Sequence, residues 1–443
     1  MGAEGPGGNG PSDGSGPSGG RSPVARRALL GAGGLAALAA GGAVLTASGA
    51  GARTGERRPA AVIPFHGPHQ AGILTRRQPY AHLAALDLGP GTDRARAAAL
   101  LRAWTEAAAR MSRGEPPTAT GPGAAGGAGA GAVSAADGDT GVALDAGPAS
   151  LTVTFGFGAG LFDRLGLAAA RPRALAPLPA FTDDRLDPAR SGGDLFVQIG
   201  ADDPFVAVHA LRVLQRLARG AARTRWVMSG FTRPPGAQAS AVAASGTHRN
   251  LMGQLDGTAN PAPAEDPAQR ARILVTGPDA PAWLAGGSYV VVRRIRMLLD
   301  TWEGLPVHHR EEAVGRRVAD GAPLTGGTER TPVDLDAARP DGIPVIAANA
   351  HIRLAAPRGN AGATMLRRGW SYYDGLRPDG TPDAGLLFVA WQADPRTGFV
   401  PVQQRLSRGD ALARYTEHEA SALFAVAGGA APGEYVGQAL LEG

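Results

Sequence analysis

The sequence predicts an α+β fold with antiparallel sheets, divided between two domains. The chain has 443 residues, of which 44% are hydrophobic and 19% charged, and this is enough apolar material for two ordinary domain cores. Segments with the alternation of a half-buried strand occur beside segments with the apolar spacing of a helix. Regular strand–helix alternation with glycines at switch points is missing, which favours α+β over a parallel α/β sheet.

The first half contains predicted elements in the order strand, helix, strand, strand, helix, strand. Residues 151–155 read Leu-Thr-Val-Thr-Phe, a strict alternation of apolar and polar side chains. Pro204 suits the first turn of a helix that continues to Leu217. The order matches the split βαβ pattern of a ferredoxin-like domain, which we place at residues 56–245. The predicted segments are strand 82–88, helix 94–111, strands 151–155 and 195–199, helix 204–217 and strand 225–228.

The second half repeats this type of arrangement, and we predict a second ferredoxin-like domain at residues 246–443. Its last predicted element is an amphipathic helix that begins at an acidic residue, Asp410, which complements the helix dipole. The predicted segments are strand 289–295, helix 310–317, strand 386–392 and helix 410–424.

The N-terminus has the pattern of an export signal. Residues 1–20 are mainly Gly, Pro, Ser and Asn, which cannot bury enough apolar area to offset chain entropy. Arg26 and Arg27 then precede an uncharged, Ala- and Gly-rich stretch at 28–45, and small residues follow at 46–50. The sequence therefore predicts, over its first 50 residues, a disordered tail and a cleaved signal of the twin-arginine type. A Sec signal or a retained anchor is the alternative.

This signal predicts a secreted or extracytoplasmic protein that the twin-arginine export machinery carries in folded form. No stable membrane span is expected after cleavage, because the stretch is only weakly hydrophobic. The absence of cysteine is compatible with an oxidising destination.

Two missing residue types exclude several kinds of chemistry. The chain has no cysteine, which excludes thiolate nucleophiles, disulfides, iron–sulfur clusters and thiolate-ligated haem. It also has no lysine, so all 44 basic residues are arginine, and Schiff-base chemistry and lysine-dependent phosphate loops are excluded. The net charge of +5 is spread among interspersed acidic and basic residues. We therefore expect no nucleic-acid partner.

A glycine-flanked acid is the first candidate for a functional site. Gly253, Asp256 and Gly257 form a G-x-x-D-G string. Asp-Gly is common in tight turns, so a purely structural turn is one interpretation. In the functional interpretation, the glycines let the backbone approach a flat ligand while Asp256 directs a carboxylate at it.

His351 is the most informative of the nine histidines because of its setting. It follows an apolar run at 343–350 and precedes Arg353, with Arg367 and Arg368 further along the chain. Nearby arginines disfavour a protonated imidazole. We therefore expect a neutral imidazole that can bind a metal.

Five sequence blocks, taken together and in order, resemble the dye-decolourising peroxidase family. The similarity is closest to its exported, deferrochelatase-like branch, and it extends from Pro64 to Tyr415, essentially the whole mature chain. The blocks are PFHGPHQAGI (64–73), GQLDG (253–257), HIRLAAPR (351–358), MLRRGWSY (365–372) and GLLFVAWQ (385–392).

The resemblance implies a dimeric α+β haem peroxidase with one haem b per chain, bound in a pocket of the C-terminal domain. His351 would then be the proximal axial ligand of the iron. Asp256 would be the distal acid–base group and Arg367 the distal arginine that stabilises negative charge on peroxide. Spacing does not decide whether Arg367 or Arg368 faces the haem, because neighbours on a strand face opposite sides, but the family pattern favours Arg367.

Further haem contacts follow from the same resemblance. Gly253 and Gly257 would allow close backbone approach to the haem, and Arg368 would add a second arginine beside it. Arg353 would pair with a haem propionate, with a surface salt bridge as the alternative. The aromatic residues that could relay electrons to the surface, or simply belong to the core, are Trp370, Tyr372, Tyr373 and Trp391.

The resemblance predicts a secreted haem peroxidase that reduces hydrogen peroxide and oxidises dyes, phenolics or similar aromatic donors through a ferryl intermediate. A deferrochelatase-like role in handling haem iron is an alternative on the same scaffold. A haem-binding protein without turnover is an alternative from another class. We expect a homodimer from the family pattern.

Overall fold

The computed structural model describes residues 61–118, 139–234, 247–277 and 280–443. The predicted tail and export signal, and the predicted domain boundary at 245–246, lie outside these ranges. Over the described residues, none of the helices is both long enough and apolar enough to cross a membrane.

Strands and helices follow one another along both halves of the chain. The strands are β1 (Tyr80–Leu88), β2 (Thr152–Phe157), β3 (Leu195–Ala201), β4 (Ala222–Phe231), β5 (His248–Arg249), β6 (Leu255–Asp256), β7 (Ser288–Met297), β8 (Leu366–Arg367), β9 (Trp370–Leu376), β10 (Pro382–Gln392) and β11 (Thr416–Val426). The α-helices are α1 (Arg94–Met111), α2 (Ala159–Arg164), α3 (Pro204–Leu217), α4 (Pro267–Ile273), α5 (Leu299–Glu303), α6 (Val307–Val314), α7 (His351–Ala355), α8 (Phe399–Leu406) and α9 (Gln438–Leu441).

Each half contributes a four-stranded antiparallel sheet, and the two sheets have the same strand order. In the N-terminal half the order is β2-β3-β1-β4, and in the C-terminal half it is β9-β10-β7-β11. Counting only the four strands of each sheet in chain order, the first strand therefore lies between the third and the fourth strand in both sheets. This repeated α+β arrangement confirms the predicted fold class of two ferredoxin-like units with antiparallel sheets.

The two sheets join at both edges. A short pairing links Phe157 of β2 to Ala425 of β11, and another links Phe231 of β4 to Ser371 of β9. The eight long strands consequently form a closed ring, and the edges of each sheet are paired.

The predicted helix at 410–424 is wrong. These residues form a short 3-10 helix, Ala411–Tyr415, followed by strand β11. His418, Ala420, Ala422 and Phe424 are buried at every second position, the period of a strand with one buried face. The run of small and apolar residues gave this segment a helical appearance, but pairing with β7 and β2 decides its structure.

The predicted helix at 310–317 is displaced by three residues. Helix α6 begins after Pro306 and ends at Val314, and the next residue, Gly315, has a φ of 94°. A residue in this left-handed conformation commonly ends a helix, and glycine adopts it without steric cost.

The core of the N-terminal half is built around Trp104 of α1. Its ring stacks on Phe155 of β2 with 5.3 Å between centroids, and its Nε1 donates a hydrogen bond to the Leu214 carbonyl of α3 at 2.9 Å. Trp104 is fully buried. One side chain therefore joins helices α1 and α3 to the sheet of this half.

We expect Trp104→Ala to lower the free energy of unfolding by about 3–5 kcal/mol, because it leaves a large cavity and removes the hydrogen bond that the indole donates to the Leu214 carbonyl. Chemical denaturation followed by circular dichroism measures this. Phe205→Ala on α3 is the control, since Phe205 is 64% exposed. Equal denaturation midpoints for the two variants would contradict the packing described.

Candidate active site

A cavity of about 540 Å³ brings together residues from many separate segments, nearly all of them in the C-terminal half. Asp256, Gly257, His351 and Arg367 all line it. Its walls are otherwise mainly apolar, and this volume and lining are typical of a site for a small molecule or cofactor. The apolar lining includes Leu255, Ile295, Met365, Phe388, Val402 and Leu406.

His351 is the first residue of α7, and a carboxylate holds its ring. Its Nδ1 lies 2.6 Å from Oδ2 of Asp410. Because Nδ1 is engaged with Asp410, Nε2 is the ring nitrogen left to bind a metal. His351 therefore offers the cavity one imidazole donor of defined orientation.

The pKa of His351 differs from the sequence expectation. Burial lowers this pKa, but the charge and hydrogen bond of Asp410 raise it by more, so the pKa lies above its ordinary value. Arg367 lowers it only as a smaller contribution. Nearby arginines therefore do not decide the pKa of His351, because the carboxylate of Asp410 beside the ring outweighs them.

Asp410 is a site residue that the sequence analysis missed. It lies 59 residues after His351 and was interpreted only as the start of a helix. One of its carboxylate oxygens, Oδ1, does accept the backbone N–H of Leu412 and caps the 3-10 helix. The other oxygen holds His351, and nothing in the sequence indicates that this long-range contact exists.

Asp256 is placed by a small hairpin. It lies on β6, directly opposite His248 of β5. The turn between these strands contains Gly253, which has φ of 79° and does not line the cavity, so Gly253 fits the structural interpretation. Gly257 has φ of 120° and does line the cavity. The two interpretations of the glycine string thus apply to different glycines.

Arg367 lies on β8 and faces the cavity, with its NH1 3.7 Å from Oδ1 of Asp256. Arg368 faces away and lies outside the cavity lining, with 5% of its surface exposed. Burial, and then the charges of Arg77 and Arg76, lower the pKa of Arg368 to about 9. A direct contact of Arg368 with a cofactor in this cavity is therefore not supported.

Arg353 has a different role from the predicted propionate partner. Its guanidinium donates hydrogen bonds to the carbonyls of Leu335, Ile346 and Ala347. It does not line the cavity. Arg353 therefore holds the loop before α7 through backbone contacts, which neither the propionate nor the salt-bridge interpretation anticipated.

The donor set fits a haem better than a bare metal ion. The His351 imidazole faces a largely apolar space that His418 also lines, and the Asp256 carboxylate and the Arg367 guanidinium lie together in another part of the wall. A single protein ligand suits an iron whose other in-plane ligands come from a porphyrin. The apolar walls suit the flat face of such a ring.

Two models of one family match the chain. The model for the Dyp-type peroxidase N-terminal domain matches residues 70–232, and that for the Dyp-type peroxidase C-terminal domain matches residues 247–431. Together they cover most of the chain.

The chain is also similar to proteins with peroxidase and deferrochelatase names. A dye-decolorizing peroxidase of Thermobifida fusca is 47% identical over 383 residues, which is 84% of each chain. A deferrochelatase of Escherichia coli is 36% identical over 394 residues, covering 85% of this chain and 87% of that protein. The crystal structure of ferric DtpA from Streptomyces lividans is 56% identical with a TM-score of 0.79, covering 87% of this chain and 98% of that one. This chain therefore belongs to the Dyp-type peroxidase family and is a haem peroxidase, as its sequence blocks predicted.

Proposed function

We propose that this protein binds one haem b in the cavity, reduces hydrogen peroxide there and oxidises dyes, phenolics or similar aromatic donors. The observation that carries the proposal is the convergence of His351, Asp256 and Arg367 in one mainly apolar cavity. Bound haem supplies the redox chemistry with peroxide. The residues of the chain hold the cofactor and move the protons.

His351 would hold the haem iron through Nε2, and Asp410 would set the character of that ligand. A carboxylate that accepts the Nδ1 proton fixes the tautomer and makes Nε2 a stronger donor. It also prevents rotation of the ring away from the cavity. The 2.6 Å contact is therefore part of the binding site for the cofactor.

Asp256 and Arg367 act on peroxide. The carboxylate can accept a proton from one peroxide oxygen and deliver it to the other, so that the O–O bond breaks and the second oxygen leaves as water; the bound haem would supply the two electrons. The guanidinium of Arg367 would stabilise negative charge on the departing oxygen. Their separation of 3.7 Å allows both groups to reach one small molecule.

The deferrochelatase of Escherichia coli favours a second candidate, the handling of haem iron in the same cavity. Incubation of the haem-loaded protein with a ferrous chelator and a reductant, followed by analysis of the tetrapyrrole, distinguishes the two. We expect peroxide-dependent dye oxidation and intact haem. Recovery of metal-free porphyrin without dye oxidation would favour the second candidate.

We also propose export through the twin-arginine route, and a homodimer. Export is supported by Arg26 and Arg27 and the weakly apolar stretch that follows. The dimer is supported by the family pattern alone.

We expect His351→Ala to lose the axial ligand, with a shifted Soret band and weaker haem retention on gel filtration. Asp410→Asn keeps the ligand but removes the charge behind it, and we expect haem affinity to fall by about 10–100-fold. Titration of apoprotein with haemin measures both. An unaltered spectrum and affinity in His351→Ala would assign the iron ligand to another residue.

We expect Asp256→Asn to retain haem and to slow the reaction of the ferric protein with peroxide by about 10²–10⁴-fold, because the amide cannot accept the proton. Stopped-flow absorbance gives the bimolecular rate constant. Arg368→Gln, which lies outside the cavity lining, is the control and should react at the wild-type rate. Undiminished reaction in Asp256→Asn would remove the acid–base role.

A further inference from the structure

We propose that Asn260 is a positioning residue for the reaction with peroxide. Its side-chain amide joins the loop that follows Asp256 to the strand that carries Arg367, and so fixes the carboxylate relative to the guanidinium. The inference rests on the proposed function, because it concerns the geometry of that acid and that arginine. Asn260 does not line the cavity, so it acts through its neighbours and not on peroxide.

The amide of Asn260 makes a reciprocal pair of hydrogen bonds with one residue. Its Nδ2 donates to the carbonyl of Arg367 at 2.7 Å, and its Oδ1 accepts the backbone N–H of Arg367 at 3.1 Å. An Asn side chain can offer a donor and an acceptor side by side, as a strand backbone does. Asn260 therefore takes the place of a neighbouring strand at this one residue.

The hydrogen bonds of Asn260 occupy the edge of strand β8 that does not pair with β10. The N–H of Arg368 bonds to Val389 of β10 at 2.8 Å, so β10 occupies one edge of the strand. Because successive backbone groups alternate in direction, the N–H and carbonyl of Arg367 point away from β10. Asn260 satisfies both groups, and they would otherwise be without a strand partner there.

The loop from Asp256 to Asn260 is short and tightly held. The N–H of Asn260 bonds to the Gly257 carbonyl at 2.9 Å, which closes a turn directly after the acid. The Thr258 hydroxyl donates to Glu329 at 3.0 Å and holds the other side of the loop. Of these contacts, the Asn260 amide is the one that reaches the strand of Arg367.

The ion pair between Asp256 and Arg367 is a weak means of fixing their positions. The two charged atoms are 3.7 Å apart, and the side chains are 26% and 30% exposed. A single, partly solvated pair of this kind contributes little to structure. The backbone positions, which Asn260 links, must therefore set the distance between acid and guanidinium.

Gln70 offers a matched control far from this cavity. Its Nε2 donates to the Phe155 carbonyl at 2.9 Å, and its Oε1 accepts the N–H of Phe155 at 2.8 Å. This is the same reciprocal pair of bonds to one strand residue, and Nε2 also donates to the Ala427 carbonyl at 3.0 Å. Gln70→Ala therefore removes an equivalent structural contact without disturbing the distal pair.

We expect Asn260→Ala to lower the bimolecular rate constant of the ferric holoprotein with hydrogen peroxide by about 10-fold or more. Haem content, Soret position and the KM for a dye should stay at wild-type values. Gln70→Ala should lower thermal stability at least as much and leave the rate constant unchanged. A wild-type rate in Asn260→Ala would overturn the proposal.

A double-mutant cycle tests whether Asn260 acts through the acid. In an Asp256→Asn background, Asn260→Ala should slow the reaction by less than about 2-fold further, because the geometry it protects no longer matters. A full additional loss would assign Asn260 an independent role. If the Asp256→Asn variant reacts with peroxide at the wild-type rate, the proposed function fails. If Asp256→Asn reacts slowly but Asn260→Ala reacts at the wild-type rate, the positioning inference fails and the proposed function stands.

The apoprotein provides a readout without turnover. Hydrogen–deuterium exchange should show faster exchange of the Arg367 amide in Asn260→Ala and no change there in Gln70→Ala. Asn260→Asp keeps the acceptor for this amide but loses the donor to the Arg367 carbonyl. We expect it to retain amide protection and still to react slowly with peroxide. Wild-type exchange in Asn260→Ala would contradict the inference.

Discussion

The hydrogen bond between His351 and Asp410 is the interaction on which the site depends. Because Nδ1 is held at 2.6 Å by a carboxylate, only Nε2 remains for a metal, and the ring keeps one orientation. The same carboxylate raises the pKa of His351 against the effect of burial. A negative charge behind the imidazole stabilises a cationic centre in front of it. The turn that carries Asp410 is therefore as important to the site as the helix that carries His351.

Local sequence patterns predicted the helices and strands well where apolar residues recur with one regular spacing. The helices predicted at 94–111 and 204–217 coincide with α1 and α3, because each has a regular apolar face. Strand β11 was missed because its buried residues are mostly small, and alanine suits a helix as well as a strand. Its structure is decided by pairing with β7 and β2, which lie more than a hundred residues away in sequence. No local window contains that information.

The sequence predicted only those site residues that lie within the blocks resembling the family. Asp256, His351 and Arg367 were named in advance, and the structure brings all three to one cavity. Arg353 and Arg368 were assigned to the cofactor because they lie beside site residues in sequence. A neighbouring residue on a strand or helix faces another direction. Arg353 accordingly bonds to backbone carbonyls, and Arg368 is buried outside the cavity. Asp410 and Asn260 depend on contacts across 59 and 107 residues, which spacing does not reveal.

The exclusive use of arginine has a structural consequence in the C-terminal half. Arg294 on β7 is almost fully buried, yet its three guanidinium nitrogens bond to Asp374, Asp383 and Glu419 at 2.8–3.1 Å. A buried lysine offers one point charge and readily loses its proton, whereas a guanidinium stays charged and binds several acceptors in fixed directions. Strands β9, β10 and β11 are joined to β7 through this one side chain. The same set of directed donors is available at Arg367, whose guanidinium lines the cavity beside the carboxylate of Asp256.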